Sequence, residues 1–275
     1  VNYIAGRICR MPDGRLLAIV ERNPDWGSGD FYATFSSDEG TTWSALDTVL
    51  FEPGNQSTHC VFVANDTVYL FYASDESGYY KIYSIHSVDG SVWTGKTQIN
   101  LDWPATQNVY DPVVIVEEDG SLSMSYISMG HGAYVAHCPA GGDWDKDKRQ
   151  IVSSGYRTRI CKHPDGTYLA AYHRNISGNY DIHVKTSQDL TNWSAEIDIT
   201  SNGNSHDAWC SVSPDEKYFL YYAKNTSGAY NLYRKYSDDG TTWSDEEMFT
   251  SDPTNNTQPS FFFDDDLLHV MWTHA

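Results

Sequence analysis

Short apolar runs, none longer than a strand, alternate with polar turns along the whole chain. Arg7-Ile8-Cys9 leads to Pro12-Asp13-Gly14 and then to Leu16-Leu17-Ala18-Ile19-Val20. The same phrase returns as Arg159-Ile160-Cys161, Pro164-Asp165-Gly166 and Leu169-Ala170-Ala171-Tyr172. Comparable turns lie near Asn65-Asp66, Asp119-Gly120, Asp215-Glu216 and Asp264-Asp265-Asp266. A third, alternating strand follows each, as in Tyr180-Asp181-Ile182-His183-Val184-Lys185, and a turn closed by tryptophan leads to a fourth. Trp43, Trp93, Trp144, Trp193 and Trp243 fall at steps of about 50 residues, a period that marks one supersecondary unit repeated and stacked. Four short strands per unit without helical periodicity predict the blade of a β-propeller.

The expected fold is therefore all-β: a six-bladed β-propeller of four-stranded antiparallel blades, in a single domain over 1–275. The blades fall at approximately 1–52, 53–103, 104–153, 154–201, 202–252 and 253–275. The sixth has room for only two strands and is expected to be incomplete, with a five-bladed propeller as the alternative.

The turn before each tryptophan carries its own chemistry. Ser36, Asp38, Gly40, Thr42 and Trp43 fit the Asp-box pattern S-x-D-x-G-x-T-W. Asp238, Gly240, Thr242 and Trp243 fit it with Tyr236 in the serine place, and the copies before Trp93 and Trp193 are shifted. The carboxylate accepts backbone N–H bonds, glycine supplies a left-handed turn and tryptophan packs between sheets. These carboxylates are expected to be structural.

Composition narrows the partners. The chain has 37 acidic against 18 basic side chains and a formal net charge of −19. That disfavours nucleic acid, which needs basic surface. No run of about 18 apolar residues suggests a membrane span. Val1-Asn2-Tyr3 lacks a charged and then apolar leader, so any export signal is expected to have been removed. Five cysteines cannot all pair internally, and Cys9, Cys60, Cys161 and Cys210 sit in apolar strand sequence. They are expected to be buried thiols. No Cys/His spacing suits structural zinc, and neither a metal nor an organic cofactor is expected.

Innermost strands line the centre of a propeller. Laying the repeats over one another gives Arg7, His59, Val113, Arg159, Trp209 and Pro259 at one inner position. Two residues earlier come Ala5, Ser57, Asp111, Arg157, Asp207 and Thr257. The ends of the second strands add Arg22, Ser74, Ser128, Arg174, Lys224 and His274, preceded on the same face by aromatics that include Tyr172 and Tyr222. Arg7, Arg22, Arg157, Arg159, Arg174 and Lys224 would make a cationic, aromatic-walled cup in an anionic protein. Arginine forks bind carboxylate or sulfate through paired hydrogen bonds, and Tyr and Trp offer flat faces to a sugar ring. His59, Asp207 and Trp209 complete the binding set. Pairing of the arginines with Asp111, Asp207 and Glu21 is the alternative reading.

The Asp-box turns and these inner strands resemble the sialidase superfamily. Arg7-Ile8 looks like the first of the three arginines that clamp a sialic acid carboxylate, and Arg174 sits where the second is expected. Asp25, in Asp25-Trp26-Gly27-Ser28-Gly29-Asp30, would by that resemblance be the acid/base. The chain departs from the family at three points. Thr158 and Arg159 stand where the activating glutamate belongs, Ala229 near the third arginine, and Gln258-Pro259-Ser260 where the tyrosine nucleophile belongs. In a hydrolase, Tyr172 or Tyr222 would have to serve as nucleophile. A weaker resemblance ties Tyr110-Asp111-Pro112 and Ser187-Gln188-Asp189 to arabinanase-like glycosidases, with Asp111 and Asp207 as carboxylates.

The resulting expectation is a secreted or cell-surface, sialidase-like propeller that binds or hydrolyses an acidic oligosaccharide or polysaccharide. As an enzyme it would be a glycoside hydrolase without the usual tyrosine nucleophile. A non-catalytic glycan- or protein-binding propeller is the first alternative. An arabinanase-like glycosidase or a uronate polysaccharide lyase, with His59 or His206 as base, is the next.

Overall fold

The computed structural model describes residues 3–22, 29–50, 52–201, 203–226, 228–264 and 267–274. Blade one comprises β1 (Tyr3–Arg10), β2 (Leu16–Arg22), β3 (Asp30–Ser36) and β4 (Asp47–Leu50). Blade two comprises β5 (Gln56–Ala64), β6 (Thr67–Ser74), β7 (Lys81–Ser87) and β8 (Thr94–Gln98). Blade three comprises β9 (Val109–Val116), β10 (Leu122–Ser128), β11 (Gly132–Cys138) and β12 (Arg149–Val152). Blade four comprises β13 (Tyr156–Lys162), β14 (Tyr168–Ile176), β15 (Asn179–Ser187) and β16 (Ile197–Asp198). Blade five comprises β17 (Ser205–Val212), β18 (Tyr218–Asn225), β19 (Tyr230–Ser237) and β20 (Glu247–Met248). Each is a four-stranded sheet with its strands in chain order, and β21 (Asn256–Asp264) and β22 (Leu267–His274) form a separate two-stranded sheet.

The fold is an all-β propeller with five blades, which corrects the expectation of six and agrees with the five-bladed alternative. The last two strands pack on blade five without becoming a blade. Trp209 donates its indole N–H to the Phe261 carbonyl at 2.9 Å, and Phe261 meets Tyr221 edge-on with ring centroids 4.6 Å apart.

The burial gradient across each blade follows from the residue pattern. The second strands are buried on both faces and read as near-continuous apolar runs, as in Leu16-Leu17-Ala18-Ile19. The fourth strands are short, two to five residues, and all of β8 is exposed. Two compact units divide the chain: residues 1–129 with 136–148, and residues 130–135 with 149–275. In the first, Leu17, Ile19 and Phe31 of blade one pack with Leu70, Tyr72 and Ile85 of blade two. In the second, Leu169, Ala171 and Val184 of blade four pack with Leu220, Tyr222 and Tyr233 of blade five. Each fully buried Leu or Ile adds about 1.5–3 kcal/mol of hydrophobic stabilisation. No helix of the described residues is long and apolar enough to cross a membrane.

The tryptophan-closed turns are built by their carboxylates. Asp38 accepts the Thr42 N–H at 2.8 Å and the Thr42 hydroxyl at 2.6 Å, while the Trp43 indole N–H reaches the Gly40 carbonyl at 3.0 Å. In blade five the organising pair is Ser237 and Asp239, one place later than the repeat alignment expects. Asp239 accepts the N–H groups of Thr241 and Thr242 at 2.8 and 2.7 Å, whereas Asp238 pairs with Lys217 at 3.3 Å. Backbone bonds to Thr242 and Thr241 hold the Asp239 carboxyl well below the usual range.

All five cysteines are free and buried. Burial pushes the Cys9 thiol up to about 12 and the Cys161 thiol upward as well. Because the thiolate is the reactive form, the native protein is expected to resist iodoacetamide, with labelling appearing only across the unfolding transition in denaturant. Mass spectrometry after a native pulse checks this, and rapid native labelling of Cys9 or Cys161 would contradict the burial.

Candidate functional site

A bulge interrupts the first strand of every blade at the same level. The register shifts lie between Ile4 and Arg7, Ser57 and His59, Tyr110 and Val113, Tyr156 and Arg159, and His206 and Trp209, with another between Thr257 and Ser260 in β21. The residue just inside the bulge is left-handed in five of these strands: Thr58, Asp111, Arg157, Asp207 and Gln258, with φ of 43, 60, 48, 56 and 55°. None is glycine. Non-glycine residues with positive φ are uncommon, and bulges re-aim side chains out of the strand alternation. Neighbouring blades meet at these points. The Asp111 N–H donates to the Thr58 hydroxyl at 3.0 Å, and Arg157 Nε lies 3.0 Å from Asp207 Oδ1.

Around Asp207 the second unit assembles a compact polar cluster. Its carboxyl is buried, 9 % exposed, whereas the Arg157 side chain keeps 35 % of its surface. Burial raises the Asp207 pKa, but Arg157, the hydrogen bond from His206 and the nearby His173 together hold it well below the usual range. An ionised carboxylate only accepts, so the contact of 2.9 Å between His206 Nδ1 and Asp207 Oδ2 carries the proton on Nδ1. In the neutral ring Nε2 is then the basic nitrogen. The Asp207 N–H in turn donates to His173 Nδ1 at 3.2 Å, which fixes that ring with its proton on Nε2. Tyrosines wall the cluster. The Tyr230 ring is centred 4.4 Å from His206, Tyr156 stacks on His173 at 6.0 Å, and Tyr180 meets His173 edge-on at 5.4 Å. Tyr156 and Tyr180 are exposed.

The remaining candidates sit elsewhere. Tyr172 and Tyr222 are 0 % exposed, inside their blades. Each donates to a glutamate, Tyr172 to Glu196 at 2.6 Å and Tyr222 to Glu246. Burial first, then the adjacent glutamate, pushes both phenols well above their usual range. The carboxylate partner that a tyrosine nucleophile needs is present in both pairs, but a fully covered oxygen cannot meet an anomeric carbon. Arg174 and Lys224 reach the same glutamates, each at 2.5 Å. Arg159 is 3 % exposed, with its guanidinium carbon 5.2 Å from the centre of the Trp209 ring and a bond of 3.1 Å to the Thr158 carbonyl.

In the first unit, Arg7 is 4 % exposed and donates to the Gly6 carbonyl at 2.9 Å. Arg22 reaches the Tyr32 hydroxyl at 3.3 Å. His59 is buried against Phe31, its Nε2–H donating to the Ile19 carbonyl at 3.0 Å, so it ties blade two to blade one. Asp111 is 3 % exposed. A cavity of about 310 Å³ beside its bulge is lined by Thr58, Tyr80, Tyr110 and Met129 among others. Asp25 lies outside the described residues.

Of the sequence candidates in the second unit, the structure joins Arg157 to Asp207 and Arg159 to Trp209. It diverts Arg174 and Lys224 to glutamates, Glu196 and Glu246, that the repeat alignment did not single out. His173, Tyr156, Tyr180 and Tyr230 also escaped it. Tyr156 directly precedes Arg157, and His173 pairs with Tyr156 across β13 and β14, so adjacency to Arg157 is the one signal the sequence offers for Tyr156. His183, Glu196 and Asp198 bring ligand atoms within 4.8 Å of one another. Arg174 and Tyr172 already occupy the Glu196 oxygens, and the group reads as a hydrogen-bonded rim.

No protein-family model matches the sequence, and no curated protein does. Solved structures do match in fold. A protein of unknown function from Dyadobacter fermentans superposes with a TM-score of 0.78 at 12% identity, covering 99% of this chain and 94% of that one. A Hadza microbial sialidase gives 0.78 at 15% identity over 99% of this chain, which spans 63% of that protein. The α-L-arabinofuranosidase of Fusarium graminearum, solved with arabinobiose, gives 0.71 at 16% identity, covering 98% and 88%. Such identities establish shared architecture, and in fold this chain is a β-propeller that superposes on these three structures.

Proposed function

We propose that this chain is a secreted or cell-surface propeller that binds an acidic oligosaccharide or polysaccharide, with Arg157, His206 and Asp207 at the centre of its site. The observation that carries the reading is the half-exposed Arg157 fork, pinned by a buried carboxylate and walled by Tyr156, Tyr180 and Tyr230. A guanidinium held in place loses little freedom when it takes a ligand carboxylate. A cationic group walled by aromatics suits an anionic sugar in a protein whose own charge is −19. The fold shared with a sialidase and an arabinofuranosidase supports a glycan rather than another ligand.

The test is titration calorimetry with uronate and sialyl oligosaccharides against neutral ones. Arg157→Ala is expected to weaken the anionic ligand roughly ten-fold, the loss of about one charge-assisted hydrogen bond. The neutral ligand should be unaffected. Equal losses for both, or none, would remove Arg157 from the site.

A second reading, proton abstraction from a uronate, draws support from the bond that orients His206. Nε2 of His206 would take the proton beside the carboxylate as Arg157 neutralises that carboxylate. The electron pair would form the ring double bond, the bond to the glycosidic oxygen would break, and Tyr230 would protonate the leaving oxygen. Appearance of unsaturated uronate ends in the wild type, and their loss in His206→Ala, tests it. In a hydrolase, Asp25 is the acid/base proposed by resemblance, with Asp111 the inner-strand carboxylate in the first unit.

A further inference from the structure

A second cavity, of about 400 Å³, opens in the first unit between blade two and the segment leading to blade three. Its size falls within the usual range for small-ligand sites. Tyr79, Lys81, Gln98, Asn100, Trp103 and Thr106 are among its lining residues. Lys81 is 9 % exposed, and its ammonium donates to the carbonyls of Pro104 at 2.9 Å and Gln107 at 2.7 Å. An ammonium has three protons, so one remains to be matched. Among the described residues no carboxylate forms an ion pair with it, in a chain with 37 acidic side chains. Burial alone acts on its pKa, pulling it down. A buried cation without a counter-charge is costly unless something supplies one.

The walls indicate what that something is. Tyr79 is exposed, Trp103 is partly buried, and Lys148 lies over the Trp103 ring with its ammonium 5.1 Å from the centroid. Flat aromatic faces, neutral amides and one buried cation match a single sugar ring bearing a carboxylate. We infer that this cavity is a binding site for a uronate residue, its carboxylate on Lys81 and its ring against Trp103 and Tyr79. The inference stands on the first unit alone and does not depend on the Arg157 cluster.

The experiment uses the full chain carrying Arg157→Ala, so that the site in the second unit is weakened roughly ten-fold, and titrates D-galacturonate, D-galactose and acetate. Galacturonate is expected to bind at least roughly ten-fold more tightly than either, with affinity falling as salt rises. Thr106 is exposed on the cavity wall, so Thr106→Glu introduces a competing carboxylate without disturbing the core. It is expected to weaken galacturonate by roughly ten-fold and leave thermal stability unchanged. Lys81→Met should abolish the preference for galacturonate over galactose. Equal binding of galactose or of acetate, or galacturonate affinity untouched by Thr106→Glu, would overturn the assignment. Binding that is present in the wild type and lost with Arg157→Ala would assign the uronate to the second unit and overturn this site while sparing the other.

Discussion

Asp207→Asn is expected to lower affinity for an anionic oligosaccharide by roughly 100-fold, the loss of about two charge-assisted hydrogen bonds. The neutral amide releases Arg157 and ceases to orient His206, although asparagine tolerates the left-handed backbone as well as aspartate does. Stability should fall by about 2–3 kcal/mol. Breaking a fully buried pair costs about 3–5 kcal/mol, and the half-exposed Arg157 recovers part of its hydration. Asp207→Val should lose about 1–2 kcal/mol more, because a branched side chain is forced to a φ of 56°. The pH dependence has a fixed sign. The folded pKa is depressed, so the stabilisation is complete above the ordinary aspartate value of about 3.9 and is lost progressively as pH falls below it. The gap between wild type and Asp207→Asn in urea unfolding should therefore narrow in acid. Wild-type affinity in Asp207→Asn would show that the cluster is structural.

Gly132→Ala is expected to destabilise the protein by about 3 kcal/mol or more. Gly132 has φ 107°, and a methyl group there would lie 2.2 Å from the Val152 carbonyl oxygen and 2.6 Å from the Ser153 carbonyl carbon. These are main-chain atoms of β12 and the residue after it, so no side-chain rotation relieves the overlap. Gly130, two residues earlier, has φ 79° and nothing within 4 Å of its would-be methyl. Gly130→Ala should cost only about 1 kcal/mol, the backbone term alone. Denaturant midpoints for the two variants separate steric overlap from conformational strain. Equal losses would mean that β11 and β12 shift apart readily.

Much of the blade was legible because its signals are local. A Pro-Asp-Gly turn, a run such as Leu16 to Val20, and the spacing from a serine and an aspartate to Trp43 each act over a few residues. Repetition then made a weak pattern strong. At the fifth turn the written pattern D-x-G-x-T-W matches Asp238 alone, whereas the turn is built one residue shorter, with Asp239 directly before Gly240. Only the hydrogen bonds to Thr241 and Thr242 choose Asp239. The candidate site was legible in part. Counting along the repeat reached Asp111, Arg157 and Asp207, yet fell one residue short at Thr58 and Gln258, where the left-handed bulge residues sit.

The sequence by itself determined an all-β chain of repeated four-stranded units, because period-two patterning and turn chemistry are properties of neighbouring residues. It also determined an acidic protein with a few basic groups gathered at equivalent repeat positions. Tertiary structure decided that the last two strands join blade five as a separate sheet, and which carboxylate each cation meets. Arg157 finds Asp207 one blade away, whereas Arg174 and Lys224 turn to Glu196 and Glu246 in their own blades. The first of these pairings depends on a one-residue bulge that rotates a side chain out of its strand's alternation. A bulge made by Asp, Arg, Thr or Gln in place of glycine leaves no mark in the sequence, because the neighbouring blade holds it there.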